Sequence, residues 1–405
     1  MFFRANAIMD EAVFSRIVQN SSERKKEASA YQHKRYLYKT LFSAPREHFI
    51  GVCGLRGIGK TVLLLQIAGA MKDSLYLSAD AAYLKEEDLY DAIRFCSLRG
   101  YKNLFIDEIH YKEGWQAALK TAYDEGLARI FFSGSSALEM RKGADLSRRA
   151  LLYQMKPLSF REYLSIKKGS AEEAPIGAKA LFDPKAREKA FLRTSRHSAY
   201  LAEYFRCGGV AYPCGEDEYF QKALENSVEK MLYGDLARIR STGAPTLEDA
   251  RRILNHIALS PAGELSYSSL ASKVSVSKPT VIRIISDLEG IGLLLRVMPC
   301  GKAVVRKEPK IYLAFPFRNF FCNSLLKTPD IGALREEFFA NHASPSICYL
   351  KGKRGEKTPD FMFGGKSVEV GGAGKSAYQD PDFIFKEGEE FSGRGIPLYL
   401  AGYLY

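Results

Sequence analysis

The sequence predicts an α/β chain: a parallel sheet covered by helices, then a helical and winged-helix region, then a small α/β domain. Three observations carry this reading. Short apolar runs alternate with helical segments across residues 48–165. A glycine-rich loop separates the first run from the first of those helices. A later run ends in two carboxylates, Asp107 and Glu108. Strands that alternate with helices form parallel sheets covered on both faces, and such sheets bind ligands at the carboxyl ends of their strands.

Residues 9–43 set charged and apolar positions at helical spacing, with Arg24-Lys25-Lys26 and Tyr31, Tyr36 and Tyr38 among them. One or two helices against the edge of the sheet are expected. The strands are expected at 49–53, 74–78, 103–107, 129–133 and 150–154.

Residues 54–61 read Gly-Leu-Arg-Gly-Ile-Gly-Lys-Thr and fit the phosphate-loop pattern G-x-x-x-x-G-K-[ST]. The loop follows the strand Phe49–Cys53 and precedes a helix that opens near Val62. That context makes Gly54, Leu55, Arg56, Gly57, Ile58, Gly59, Lys60, Thr61 and Val62 the expected nucleotide-binding residues. The glycines turn the backbone so that N–H groups face phosphate oxygens, and the helix N-terminus adds partial positive charge. Lys60 is expected to reach the β/γ-phosphates of ATP, and Thr61 to hold Mg2+.

Leu104-Phe105-Ile106 leads into Asp107 and Glu108. Asp107 ends its strand where a phosphate-loop sheet needs an acid for Mg2+, and Glu108 is then placed to polarise the attacking water. Two carboxylates point to hydrolysis rather than to nucleotide holding alone. Ser133-Gly134-Ser135-Ser136 follows the next strand, and Ser135 is the expected γ-phosphate sensor. Arg148 and Arg149 precede the last strand, where an arginine can serve the site of a second copy in a homo-oligomer.

The 405 residues carry 59 Lys+Arg against 47 Asp+Glu, a formal net charge of +12. That balance suits a nucleic-acid partner. No apolar run approaches a membrane span, and no secretory leader is legible, so a cytoplasmic protein is expected. Seven scattered cysteines, without metal-like pairs, read as free thiols.

Four regions are expected: 1–165 the ATPase with its N-terminal helices, 166–245 a helical lid, 246–306 a winged helix, and 307–405 a small α/β domain. Residues 166–185 read as a linker, and Gly208-Gly209 with Pro213 demands a turn. Within 246–306, three helical patterns are followed by a wing, with strands expected at 293–298 and 303–306. Ser277, Lys278, Thr280 and Arg283 fall on the outer side of the third helix, which suits a duplex DNA groove. Residues 277–310, including the basic stretch Arg306–Lys310, form the expected DNA face. Winged helices also dock proteins. Near the end of the chain, Asp360 and Glu369 lie on adjacent strands joined at Gly364-Gly365, where one metal can bridge them.

These residues resemble AAA-type ATPases in which Asp-Glu-Ile, a Gly-Ser-Ser turn and Leu-Ser-Phe-Arg-Glu-Tyr recur. Here those are Asp107–Ile109, Gly134–Ser136 and Leu158–Tyr163. That family joins the ATPase to a winged helix and a restriction-nuclease-like domain of unknown function. The resemblance extends to Gly208-Gly209, Pro213, Arg335-Glu336 and Phe338-Phe339. It implies that Glu336 joins Asp360 and Glu369 as metal ligands of a second site. The nuclease pattern wants a lysine at 371, where this chain has glycine, with Lys375 the nearest in sequence. A degenerate nuclease is therefore expected. The functional expectation is an ATP-hydrolysing switch acting on or near DNA. The alternatives are an ATP-regulated signalling scaffold and an ATP-regulated nuclease.

Overall fold

The computed structural model describes residues 9–135, 146–214, 217–240, 244–262, 265–301, 308–350, 358–374, 380–388 and 393–405. Ser136, Arg306, Lys307 and Lys375 lie outside them. The chain divides into two compact units, Met1–Lys156 and Pro157–Tyr405.

The first unit holds helices α1 (Glu11–Ser29) and α2 (Tyr38–Phe42), then β1 (Phe49–Cys53), α3 (Lys60–Ala70), β2 (Ser74–Ser78), α4 (Leu89–Leu98), β3 (Asn103–Asp107), α5 (Trp115–Asp124), β4 (Arg129–Gly134) and β5 (Ala150–Gln154). All five strands run parallel, in the order β2-β3-β4-β1-β5. β1 is buried along its whole length, as expected where helices cover both faces. Ile50, Ile106, Phe132, Leu64 and Ile93 are fully enclosed, and each such side chain contributes about 1.5–3 kcal/mol. β2 is an edge strand, and α1 covers it. The Tyr76 N–H donates to Ser21 Oγ at 2.9 Å, and Lys25 Nζ donates to Ser74 O at 3.1 Å. The expected strands and N-terminal helices are all present.

The second unit begins with α6 (Phe160–Lys168). The segment Leu158–Tyr163 that carries the resemblance is structural in this unit. Leu158 N–H donates to Gly209 O, Ser159 caps α6 in a reciprocal box with Glu162, and Phe160 stands edge-on to Tyr204, Phe338 and Tyr403. Gly208 and Gly209 are required by contact. A Cβ on Gly208 would sit 2.3 Å from the Tyr204 ring, and one on Gly209 (φ +83°) would sit 2.4 Å from Phe315 O.

Residues 166–185 are more ordered than the expected linker. α6 runs to Lys168, and α7 (Ala178–Phe182) and α8 (Pro184–Thr194) follow, with Ile176 and Leu181 buried. Further on, α9 (Ala244–Leu259), α10 (Tyr267–Val274) and α11 (Lys278–Gly290) form a three-helix group, with Val281, Ile284, Ile285 and Leu288 on the buried face of α11. β6 (Leu294–Val297) pairs antiparallel with β7 (Lys310–Leu313). The partner of β6 among the described residues thus begins at Lys310, and the expected strand 303–306 lies outside the described residues. Lys310-Ile311-Tyr312-Leu313 buries three of its four residues.

A second sheet of five strands closes the unit in the order β12-β11-β10-β9-β8: β8 (Ile347–Cys348), β9 (Phe361–Phe363), β10 (Lys366–Gly371), β11 (Phe383–Lys386) and β12 (Gly395–Pro397). Helix α13 (Ile331–Ala343), preceded by α12 (Phe317–Ser324), packs on β10. Gly364 and Gly365 turn the β9–β10 hairpin with φ of +57° and +79°.

The expectation of seven free thiols is corrected. Cys207 is bonded to Cys214 and Cys300 to Cys348, which leaves Cys53, Cys96 and Cys322 free and buried. The Gly208–Pro213 turn folds Cys214 back onto Cys207, and the Cys300–Cys348 pairing is long-range and invisible in spacing. No helix among the described residues is long and apolar enough to cross a membrane.

Candidate nucleotide site and the carboxylate cluster

The glycine loop leaves β1 at its carboxyl end. Gly54, Gly57 and Gly59 take φ of +151°, +78° and +90°, which only glycine adopts freely. At Gly54 a Cβ would also meet Met155 O at 2.5 Å, because Met155 N–H donates to Cys53 O and draws β5 against the loop. Lys60 opens α3 and is 6% exposed, with Nζ donating to Gly54 O at 2.8 Å and Leu55 O at 2.9 Å. Leu55 and Ile58 are buried, and Val62 is half-buried behind them.

Asp107 stands at the end of β3, next to the start of α3. Its Oδ2 accepts from Thr61 Oγ1 at 2.6 Å and from the Tyr76 hydroxyl at 2.9 Å, and Ser133 donates to Oδ1. Burial, then the charge of Asp107, raises the Tyr76 phenol well above its ordinary range. Ser133 Oγ also accepts from the Glu108 N–H at 3.0 Å. Glu108 has φ +50°, a conformation rare for a residue with a side chain. Its carboxylate lies 3.7 Å from Arg56 Nη1 and 3.5 Å from His110 Nδ1. The other ring nitrogen of His110 is 3.4 Å from Ser135 Oγ. Arg56, Glu108, His110 and Ser135 therefore form a line of contacts.

Sequence reasoning did not single out His110, Tyr76, Ser133 as the partner of Asp107, or Arg35. Arg35 donates to Ile58 O and, at 2.8 Å, to Lys156 O, which pins the loop to the end of β5. A polar residue two positions after Glu108 is the signal that could have found His110.

Arg149 and Arg148 differ. Arg149 forks onto Asp124 at 2.9 and 3.1 Å, while Arg148 is exposed. Both precede β5, at the end of the sheet opposite the glycine loop. At about 3.3 Å per residue, five residues put Arg149 roughly 17 Å along the strand from its own loop. Neither arginine serves that loop within one chain.

In the second unit, Glu336 on α13, Asp360 before β9 and Glu369 on β10 come together, and Lys310 of β7 joins them. Lys310 Nζ is 3.8 Å from Glu336 and 3.9 Å from Asp360. Tyr312 donates to Glu336 at 3.0 Å, and Asp360 accepts from the Val370 N–H. Burial, then the charge of Asp360, pushes the Glu336 carboxyl up to about 8, against the pull of Lys310. Among the described residues, the tight group of metal-ligand atoms, all within 4.8 Å of one another, is instead Glu203, Cys207 and Cys214, two of which share a disulfide. The lysine beside these acids comes from β7, some sixty residues before position 371, where hairpin spacing gave no hint of it.

On the outer side of α11, Lys278 and Arg283 are exposed. Ser277 and Thr280 are joined in the helix cap at 2.8 Å, and Lys278 pairs with Glu308 at 2.6 Å.

Residues 46–164 match a family described as an AAA domain, and residues 200–314 match a domain of unknown function, DUF8612. With the sheet order and the loop geometry, the first match makes this segment an AAA-type P-loop domain. Uncharacterized protein MJ1637 of Methanocaldococcus jannaschii is 31% identical over 67% of this chain and 62% of its own length. Uncharacterized protein MJ1544 of the same organism is 25% identical over 55% of this chain and 48% of its own. The chain thus spans less than two thirds of the curated relatives it matches. Solved structures of AMPPCP-bound DnaA from Aquifex aeolicus (TM-score 0.26, 16% identity, 67% of this chain and 88% of that one) and of C. elegans PCH-2 (TM-score 0.23, 14%, 71% and 69%) overlap it loosely.

Proposed function

We propose that this chain binds and hydrolyses ATP with Mg2+ and uses the cycle as a switch on or near DNA. The support is the meeting of Lys60, Thr61, Asp107 and Glu108 at the carboxyl ends of β1 and β3. The donor set fits the cofactor: hard oxygens from Thr61 and Asp107 suit Mg2+, and a glycine loop beneath a helix N-terminus suits phosphates. Thr61 and Asp107 would hold Mg2+, which supplies charge neutralisation for phosphoryl transfer. In this reading Lys60 exchanges the carbonyls of Gly54 and Leu55 for phosphate oxygens, and Glu108 takes the proton of the attacking water.

Two variants test it. Lys60→Ala should abolish tight binding of a fluorescent ATP analogue, and wild-type affinity in that variant would end the assignment. Glu108→Gln should bind ATP yet turn over on the order of 10²–10⁴ more slowly. Undiminished turnover would remove Glu108 as the base.

For the carboxylate cluster we favour a holding role over cutting. An ammonium between Glu336 and Asp360 neutralises charge that a divalent cation would otherwise satisfy. Metal-dependent nicking of supercoiled plasmid should be absent or weak. Robust nicking that disappears in Asp360→Ala and Lys310→Ala would make the domain a working nuclease.

A further inference from the structure

On the far side of α3 from the glycine loop lies an open cleft of about 560 Å³ between α1, the segment after it and the last turns of α3. Lys25, Lys26 and Lys34 line it, together with Tyr31 and Tyr38, and no acidic side chain among the described residues does. Tyr31 is 60% exposed, Lys26 and Lys34 are exposed, and Lys34 Nζ lies 3.9 Å over the Tyr38 ring. The acids of α1 turn elsewhere: Glu27 meets Arg24, and Glu23 meets Gln19. α3 has eleven residues and is about 16 Å long. The α3 residues that line the cleft begin at Leu65, about 7.5 Å along the helix from Lys60.

We propose that this cleft binds single-stranded nucleic acid, with backbone phosphates on Lys26 and Lys34 and a base stacked on Tyr31. Alternating cations and aromatic faces are the recurring means of holding single strands. The openness decides between a strand and a free nucleotide. A small ligand needs walls that bury most of its surface, whereas a strand needs a passage, and here both lysines and the tyrosine face solvent. The α3 C-terminus adds negative partial charge, so lysines must supply the attraction. The site also touches the ATP machinery. Gln66 of α3 donates to Tyr31 O at 2.9 Å and His33 O at 3.1 Å, and two residues later Arg35 holds Ile58 of the glycine loop. A strand in the cleft thus bears on the segment that braces the phosphate loop.

The test uses the full chain and a fluorescein-labelled oligothymidylate of about twenty nucleotides, followed by anisotropy at low salt. Lys26→Glu with Lys34→Glu should weaken binding at least about tenfold and lower the log–log salt slope by about 1.4, at 0.7 per phosphate contact. Tyr31→Ala, at an exposed site that leaves the fold intact, should weaken binding about tenfold. Lys278→Glu with Arg283→Glu should weaken it less than the cleft pair does. Loss only in that last pair would overturn the proposal. So would unchanged binding in the cleft variants, or competition by inorganic phosphate or AMP as effective as by the oligonucleotide. Photo-cross-linking of a bromodeoxyuridine strand to the wild type gives an independent readout: adducts on Tyr31 or Tyr38 are expected, and adducts confined to residues 277–310 would refute it. Failure here with intact Lys60-dependent ATP binding leaves the ATPase reading standing.

Discussion

His110 sits 3.5 Å from Glu108 and 3.4 Å from Ser135, with its side chain 3% exposed. In the proposed reaction a ring so enclosed would act through the carboxylate and the hydroxyl it faces, as a positioning residue. His110→Ala should lower turnover of ATP about tenfold or more while leaving affinity for the ATP analogue near wild type, and His110→Gln should recover part of the loss. Equal damage to binding and turnover in both variants would mean that the ring only fills space. Glu336 offers a different test. Its carboxyl is raised from 4.5 to about 8 in the folded chain, so the native state holds a proton that the unfolded state has released. Its contribution to stability is therefore complete below about 4.5 and is lost as pH rises through about 8. Glu336→Gln mimics the protonated acid and should flatten that part of the stability profile, measured by denaturant unfolding between pH 5 and 8.5 (roughly the window set by the two values). A profile identical to wild type would mean that the carboxyl is already ionised at neutral pH.

At the scale of elements, the parallel sheet was legible because each strand carries its own apolar run and the glycine loop declares its neighbours. Phe49–Cys53 and Asn103–Asp107 fall where periodicity puts them. The strand pair β6–β7 was half legible. Leu294–Val297 shows in sequence, but its partner begins at Lys310, because a basic, proline-containing stretch hides where pairing resumes. Lys310 was illegible as a member of the acid cluster for the same reason: the hairpin register alone brings it to Glu336 and Asp360. Helix α11 gives this scale its prediction. Lys278 is engaged with Glu308, and Arg283 is exposed with no ion pair among the described residues, so its charge is the more available to a phosphate. Arg283→Glu should weaken duplex DNA binding more than Lys278→Glu, and wild-type affinity should fall with salt at a slope of about −0.9 per phosphate contact. No measurable duplex binding by the wild type at low salt would move this element to protein docking.

At the scale of the whole molecule, the two units divide at Lys156 and Pro157, while the match to the AAA domain runs on to residue 164. The reason lies in Leu158–Tyr163. Leu158 bridges to Gly209, and Phe160 lies among Tyr204, Phe338 and Tyr403. That motif closes the segment that matches the AAA domain, residues 46–164, and these contacts are made within the second unit. Each unit has its own sheet and its own set of charged residues, the first around Asp107 and the second around Glu336. Asp107 carries a consequence of its own. Its carboxylate takes hydroxyl protons from α3, β2 and β4 through Thr61, Tyr76 and Ser133, so it fastens three neighbouring elements besides offering oxygen to a cation. An amide at that position would turn one of its two acceptors into a donor facing hydroxyls already committed to giving. Inactivity of Asp107→Asn would thus mix a loosened scaffold with lost metal affinity. Tyr76→Phe removes one of those fastenings and leaves both carboxylate oxygens in place, which separates the two effects in a melting curve.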